Sequence, residues 1–475
     1  MEKKILLPLA LVLQLAAALV VLRWGLPRTK DTYLYIDGRG YSRDSTYLDL
    51  SGGPVDQVDR LSELTHLRRL DLRDTGLTFA QYDALHAALP DCEILWSPYF
   101  HGQYYPDSTT SLTLTYLDEE DLDLLGYFPS LSIVDASQCE DYPRLMALQN
   151  RYPDCSVFYD VLLSGEHWGQ NATNLLLRDG DAALVMEQLA WLPHVEQILF
   201  TGKLPTLEEL ETLQAAYPEI EILWQITVCG KTADLTATEL DLSGIPMDST
   251  LPVEQALPYL PNLTRVIMCD CGLSNEEMDA LNRRYEDIQF VWSVDIGPYL
   301  RIRTDTTTFM PVKYNVWVDD EDCYNLRYCT EMVCLDLGHM DLTRCDFVAY
   351  MPKLKYLILA DSQISDLTPL TDRKELIFLE LFLTRVRDYT PLTTCTALED
   401  LNLGYTFGDS AVIAGMPWLK RLWWSGGGAS RSVLTAGLPD TVIHLTAGSS
   451  TGEGWRKGQN YYDMRDMLGM GYMTH

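Results

Sequence analysis

Reactive motifs are scarce in this 475-residue chain. It has no CxxC pair, no HExxH stretch and no paired Cys/His spacing, and its eight histidines are scattered singly. This excludes a zinc module or zinc hydrolase of the usual sequence form. The eleven cysteines run from Cys92 to Cys395. An odd, widely spaced set argues against a closed disulfide framework, and buried free thiols are expected. Positive charge is also short: 36 Lys and Arg stand against 68 Asp and Glu, a net charge of -32. Such a chain is repelled by phosphate backbones, so nucleic acid is excluded as a main partner. Past residue 22 no second apolar run approaches the length of a membrane span. What is present is a composition that folds, 47% hydrophobic and 22% charged, able to bury a large core.

One long uncharged run, Ile5 to Leu22, follows Lys3 and Lys4. At about 1.5 Å per residue it spans roughly 27 Å, enough for a bilayer core. Two readings stand. Ala16 and Ala18 suit signal-peptide cleavage, which would give a secreted chain. Leu19 to Leu22 prolong the apolar run past that point, and Arg23 and Trp24 form an interfacial flank, which favours an uncleaved single-pass anchor. Lys3 and Lys4 before the run and Arg23, Arg28 and Lys30 after it leave orientation undecided by charge. A long soluble part translocates largely regardless of charge, so an extracellular domain on a cell membrane is expected. No lipobox cysteine follows.

The remainder repeats itself. A Thr precedes an alternating apolar pair at Thr46, Thr110, Thr173, Thr238 and Thr308, spaced 64, 63, 65 and 70 residues apart. A second strand begins near Leu67, Leu131, Val195 and Leu263. A helix follows, started by capping boxes at Thr78 with Gln81, Thr206 with Glu209 and Ser274 with Glu277, whose side chains satisfy free backbone N–H groups. A third strand places Trp96, Tyr159, Trp224 and Trp292 at one equivalent position. Then comes an excursion around Gly102, Gly165, Gly230 or Gly297, a hairpin or extended detour, with another before the first repeat at Gly40.

From Met332 the period shortens. Met332, Leu354, Leu376, Leu398 and Leu419 open successive units 22, 22, 22 and 21 residues apart. Leu354 is followed by Leu357 and Leu359, Leu376 by Leu379 and Leu381, and Leu398 by Leu401 and Leu403. This pattern resembles the leucine-rich repeat. LKYLILADSQISDLTPL and LIFLELFLTRVRDYTPL further resemble the bacterial internalin-like 22-residue subclass, with Asp366, Pro369 and Leu370 matched by Asp388, Pro391 and Leu392. The resemblance implies an α/β leucine-rich-repeat solenoid: a curved parallel sheet with helices or irregular turns on the convex side, following the N-terminal transmembrane helix. It departs from the family at the Asn ladder, where Ser362, Thr384 and Thr406 stand, and Cys139 and Cys271 upstream. A hydroxyl can still bond to the neighbouring turn. The expected organisation is an anchor or signal segment over 1–30, super-repeats of about 64 residues over 31–308, short repeats over 309–450, and a C-terminal cap over 451–475. In that cap Tyr461, Met464, Met467 and Leu468 have helical spacing and are expected to cover the last exposed core.

Candidate chemistry is thin. Gly230-Lys231-Thr232 ends like a P-loop, but Gln225 stands where the first Gly is required, so a turn is expected. Gly448 to Gly452 matches G-x-S-x-G around Ser450, yet EGWRKG follows where a helix must begin, so a loop is expected. The acidic runs Asp118 to Asp123 and Asp319 to Asp322 lack the alternation of a calcium loop and read as solvated helix starts. Asn171 and Asn262 open glycosylation sequons. No metal, cofactor or catalysis is expected. In the leucine-rich-repeat family the residues between the strand leucines face the concave side, commonly a protein-binding surface. Carried over position by position, the resemblance selects Tyr356, Ile358, Phe378, Glu380, Phe382, Asp400, Asn402, Tyr405, Arg421 and Trp423. Five of them are aromatic, which suits an exposed binding hot spot; the other reading is plain packing, with the C-terminal cap or the upstream units covering some of them. The expectation is a membrane-tethered protein that binds a protein or peptide at the cell surface; the alternative is a structural envelope or adhesion spacer.

Overall fold

The computed structural model describes residues 32–425, 428–445 and 454–470. The apolar run 5–22 and the Ser450 loop lie outside these. Among the described residues no helix is long and apolar enough to cross a membrane. The chain divides into two compact units, Met1–Ile222 and Leu223–His475. The division falls inside a long repeat. The reason is packing: one continuous apolar core runs from Val228 to Leu438 through long and short repeats alike.

In the first unit the repeats carry short parallel strands. Tyr47–Asp49, Arg69–Leu72 and Glu93–Trp96 pair in register Leu48, Leu70, Ile94. Ser111–Thr113, Ile133–Asp135 and Ser156–Phe158 pair in register Leu112, Val134, Val157. Asn174–Arg178 pairs with Gln197–Thr201. Period-2 alternation turns these aligned residues inward and leaves most of their neighbours open to solvent, Asp71 being a buried exception paired with Arg73. The helices Phe79–Ala88 and Leu207–Ala216 begin at full capping boxes on Thr78 and Thr206, and Tyr142–Arg151 begins at Asp141, whose carboxylate accepts from the Arg144 backbone N–H. The excursions are antiparallel hairpins. Their turns pair two left-handed residues, Asp37-Gly38, His101-Gly102 and Ser164-Gly165, as two-residue hairpin loops require. The first turn is therefore at Gly38, and Gly40 lies within the strand Arg39–Ser42.

The second unit opens with a hairpin in which Gln225 to Val228 pair with Lys231–Asp234. Gly230-Lys231-Thr232 is its turn and second strand, with no helix to cradle a phosphate. The parallel strands Glu239–Asp241, Arg265–Ile267 and Gln289–Val291 follow, and the helix Asn275–Arg284 starts at the Ser274–Glu277 box. Seven parallel strands then form one sheet: Thr308–Phe309, Cys334–Asp336, Tyr356–Ile358, Phe378–Glu380, Asp400–Leu403, Arg421–Trp424 and Val442–Leu445. Leu335, Leu357, Leu379, Leu401 and Leu422 align rung on rung and are fully buried. The three middle return paths are single 3-10 turns, among them Thr368–Leu370 and Thr390–Thr394. Asp366 and Asp388 accept from the backbone N–H of Thr368 and Thr390, both at 2.8 Å, and the following prolines fix φ for the turn.

At the ladder position the hydroxyls bond within their own repeat, and Thr406 also meets the neighbouring turn, its Oγ1 2.6 Å from Tyr389 Oη. Ser362, Thr384 and Thr406 each donate to the carbonyl three residues upstream in their own repeat, Leu359, Leu381 and Leu403, at 2.7 to 2.8 Å. Cys271 Sγ instead crosses to the preceding repeat, donating to the Leu242 carbonyl at 3.2 Å. All eleven cysteines are free, and all but the half-buried Cys229 are buried.

Candidate functional site

The side of the seven-stranded sheet opposite the leucine core carries Met310, Cys334, Tyr356, Ile358, Phe378 and Trp423. The strands put them there because each alternates with an inward apolar residue, Phe309 beside Met310 and leucines on the other rungs. Sequence reasoning expects this stripe to be exposed. Instead Tyr356, Ile358, Phe378, Glu380, Asp400, Asn402 and Trp423 are buried, and Phe382, Tyr405 and Arg421 are half-buried. The cause is the chain's own C-terminal segment. Its described residues leave the last rung of the core partly open, with Ile443 and Leu445 half-buried. It lies on the concave face, where Trp455, Tyr461, Met464 and Leu468 join the same apolar cluster.

Trp455 is the centre of this contact. Its ring stacks on Phe378 at 4.8 Å between centroids and meets Trp423 edge-on at 5.0 Å. Its indole N–H donates to Glu380 Oε2 at 2.6 Å. Arg421 forms a forked pair with Asp400 at 2.8 and 2.5 Å and also donates to the Trp455 carbonyl at 3.4 Å. Asn460, at the start of the helix Gln459–Met467, donates to Glu399 and Asp400 at 3.2 and 3.1 Å. At the far end Lys313 Nζ donates to the Leu468 carbonyl at 2.9 Å. Aromatic burial supplies most of the attraction, and the charge-assisted bonds fix the pose.

Burial raises the carboxyls beneath the segment. Glu380 is pushed up to about 7 by loss of water, opposed by the Trp455 indole and the charge of Arg456. Asp336, two rungs upstream, is raised for the same reason, and its nearest bond is from the Gly338 backbone N–H at 3.0 Å. Two donors on adjacent rungs, Asn402 Nδ2 and Trp423 Nε1, are buried without a hydrogen-bond partner among the described residues.

The ten residues selected from the sequence do share one face. Trp455, Asp336, Met310 and Cys334 were not selected with them. A signal for Trp455 was the apolar helix Tyr461, Met464, Leu468 behind it, a stripe that needed a partner. The acidic runs hold structure together: Asp121 accepts from the Asp118 backbone N–H and lies 2.8 Å from His101, and Asp319 accepts from the backbones of Glu321 and Asp322. Among the described residues no group of three His, Cys, Asp or Glu is placed to hold a metal ion.

No family model and no curated protein matches this sequence. Solved structures do. An internalin, InlF, from Listeria monocytogenes is 14% identical over 87% of this chain and 91% of that one, with a TM-score of 0.23. A leucine-rich-repeat protein of Leptospira interrogans is 14% identical over 85% and 90%, also at 0.23. The internalin InlC2 of Listeria monocytogenes is 17% identical over 44% and 80%, again at 0.23. Scores of that size leave the class resting on the chain's own geometry. Its 22-residue parallel rungs, each turning two leucines inward, have the architecture of a leucine-rich-repeat solenoid.

Proposed function

We propose that this protein is a membrane-tethered leucine-rich-repeat protein that binds a protein or peptide through its concave face at the cell surface, and that it catalyses nothing. The observation that carries the reading is the seating of Trp455 between Phe378 and Trp423, with Glu380 accepting its indole N–H. A face that holds one helical segment by an aromatic anchor and placed carboxylates has the composition of a binding hot spot. The run Ile5–Leu22 supports the tether. The test is photocrosslinking on intact cells from Phe382, at the rim of the face. A discrete protein adduct that disappears with Phe378→Ala supports the reading. A diffuse, salt-insensitive set of adducts speaks for a spacer, and recovery of the chain from the medium with its N-terminus at Leu19 removes the tether.

A further inference from the structure

We infer that residues 454–470 are a resident occupant of the concave face, and that a partner displaces them with a cationic, tryptophan-bearing helical segment of its own. The inference rests on the peptide-binding reading above and adds who holds the site and what chemistry enters it.

The resident segment fits, but incompletely. Trp455 fills the aromatic slot and satisfies Glu380, yet Asn402 Nδ2 and Trp423 Nε1 stay buried and unpaired on neighbouring rungs. An unpaired buried donor is a penalty that a ligand with an acceptor at that point relieves. An incoming segment therefore has room to bind better than the resident one.

Charge specifies the partner. The face buries two carboxyls, Asp336 and Glu380, and the segment answers with Arg456, whose charge acts on both, and Arg465, whose charge acts on Asp336. The segment holds Arg456, Lys457 and Arg465 against Asp463 and Asp466, a cationic excess inside a chain of net charge -32. The same field draws a cationic partner to the face.

Gly458 shows how the segment can be released without altering the sheet. A Cβ there would fall 1.8 Å from Arg421 Nη2, and that guanidinium is held by both oxygens of Asp400. The chain approaches Arg421 this closely only because residue 458 has no side chain.

The test uses the full chain and a fluorescent synthetic peptide with the sequence of residues 454–470. In wild type the resident segment lowers the fraction of open face, and apparent affinity falls by that fraction. Gly458→Val and Trp455→Ala open the face from the segment's side, and the second serves if the first does not fold. The expected result is binding to either variant about ten-fold tighter than to wild type, lost when the peptide carries Trp455→Ala and weakened when it carries Arg456→Glu with Arg465→Glu. Equal binding to wild type and opened variants overturns displacement and leaves the face a peptide site. No binding to any folded variant overturns the peptide-binding reading itself. Opened variants that elute as dimers, with no peptide uptake, give the site to a second copy and overturn the external partner.

Discussion

Upstream and downstream strands share one design and differ in what lies over them. In Tyr47–Asp49, Ser111–Thr113 and Asn174–Arg178 burial alternates residue by residue, so Tyr47 and Leu176 stand in solvent. In Cys334–Asp336, Tyr356–Ile358, Phe378–Glu380 and Asp400–Leu403 every residue is buried. The inward leucines are equivalent in both, so the core does not account for the difference. One short C-terminal segment does, by covering the second face. Burial on both faces is the usual condition of a parallel sheet. Here it is met downstream by the C-terminal segment, whereas upstream most outer positions stay open, with Asp71, Ile267 and Val291 as buried exceptions.

The largest effect should come from the feature both regions share. Leu357 and Leu379 are fully buried rungs, so Leu357→Asp places an unpaired charge in the core. A loss of about 3–5 kcal/mol is expected. Because repeats couple mainly to neighbours, hydrogen exchange should show the short repeats losing protection before the upstream ones. Uniform loss across the chain would mean that the rungs do not act as local units.

Next comes the cover alone. Trp455→Ala removes a fully buried indole, a change worth about 3–5 kcal/mol in a packed site. The helix Gln459–Met467 should lose its exchange protection while the strand Phe378–Glu380 keeps its own. The downstream strands would then take on the alternating exposure of the upstream ones. If the sheet melts together with the helix, the segment is part of the folding core rather than a cover.

Acidity should tune the same contact. Glu380 carries a folded-state value of about 7 against 4.5 when free, and Asp336 is raised in the same sense. Among the described residues, the groups acting on Glu380 include the Trp455 indole, Arg456, Asp336 and His339. A raised carboxyl binds protons more tightly in the covered state, so covering is least opposed below pH 4.5. It weakens as pH rises from about 4.5 to about 7, and the full cost, on the order of 3 kcal/mol, persists above. Exchange rates in Gln459–Met467 should therefore rise between pH 5 and 7.5 beyond the intrinsic base dependence. Glu380→Gln, which still accepts from the indole, should flatten most of that rise. An unchanged profile would show that Glu380 keeps its water.

Much of this was legible in the sequence because rungs report themselves. The 22-residue spacing fixed Leu357, Leu379 and Leu401, and three capping boxes located three helices, since both are local patterns with local causes. The concave positions were equally legible as a face. Their exposure was not, because Trp455 and Glu380 are 75 residues apart and nothing local to either records the other. The tail's apolar stripe announced that it needed a surface, and two surfaces were open to it: the end of the core and the concave sheet. Periodicity cannot choose between them. The buried carboxyls could have, because an acidic, aromatic face is a better seat for a Trp-Arg-Lys segment than an aliphatic rung.

The smallest expected effect separates the cover from the backbone beneath it. After four successive strands one residue adopts a left-handed conformation: His339, Asp361, Leu383 and Tyr405, with φ between 55° and 64°. Asp74 and Asp270 do the same upstream. Asp and Asn tolerate this geometry, whereas Leu and Tyr carry strain of about 1 kcal/mol from Cβ against the following carbonyl. Leu383 is 44% exposed, so little packing is lost on replacement. Leu383→Asn should raise stability by about 0.5–1 kcal/mol, read from the denaturant midpoint at unchanged slope. Tyr405→Asn relieves the same strain but gives up a half-buried ring 5.3 Å from Phe382 in an edge-on contact worth about 0.5–1.5 kcal/mol. Its net effect should be near zero or destabilising. If both substitutions stabilise equally, the Phe382–Tyr405 contact at the rim contributes nothing, and the segment's hold on the concave face ends at Trp423.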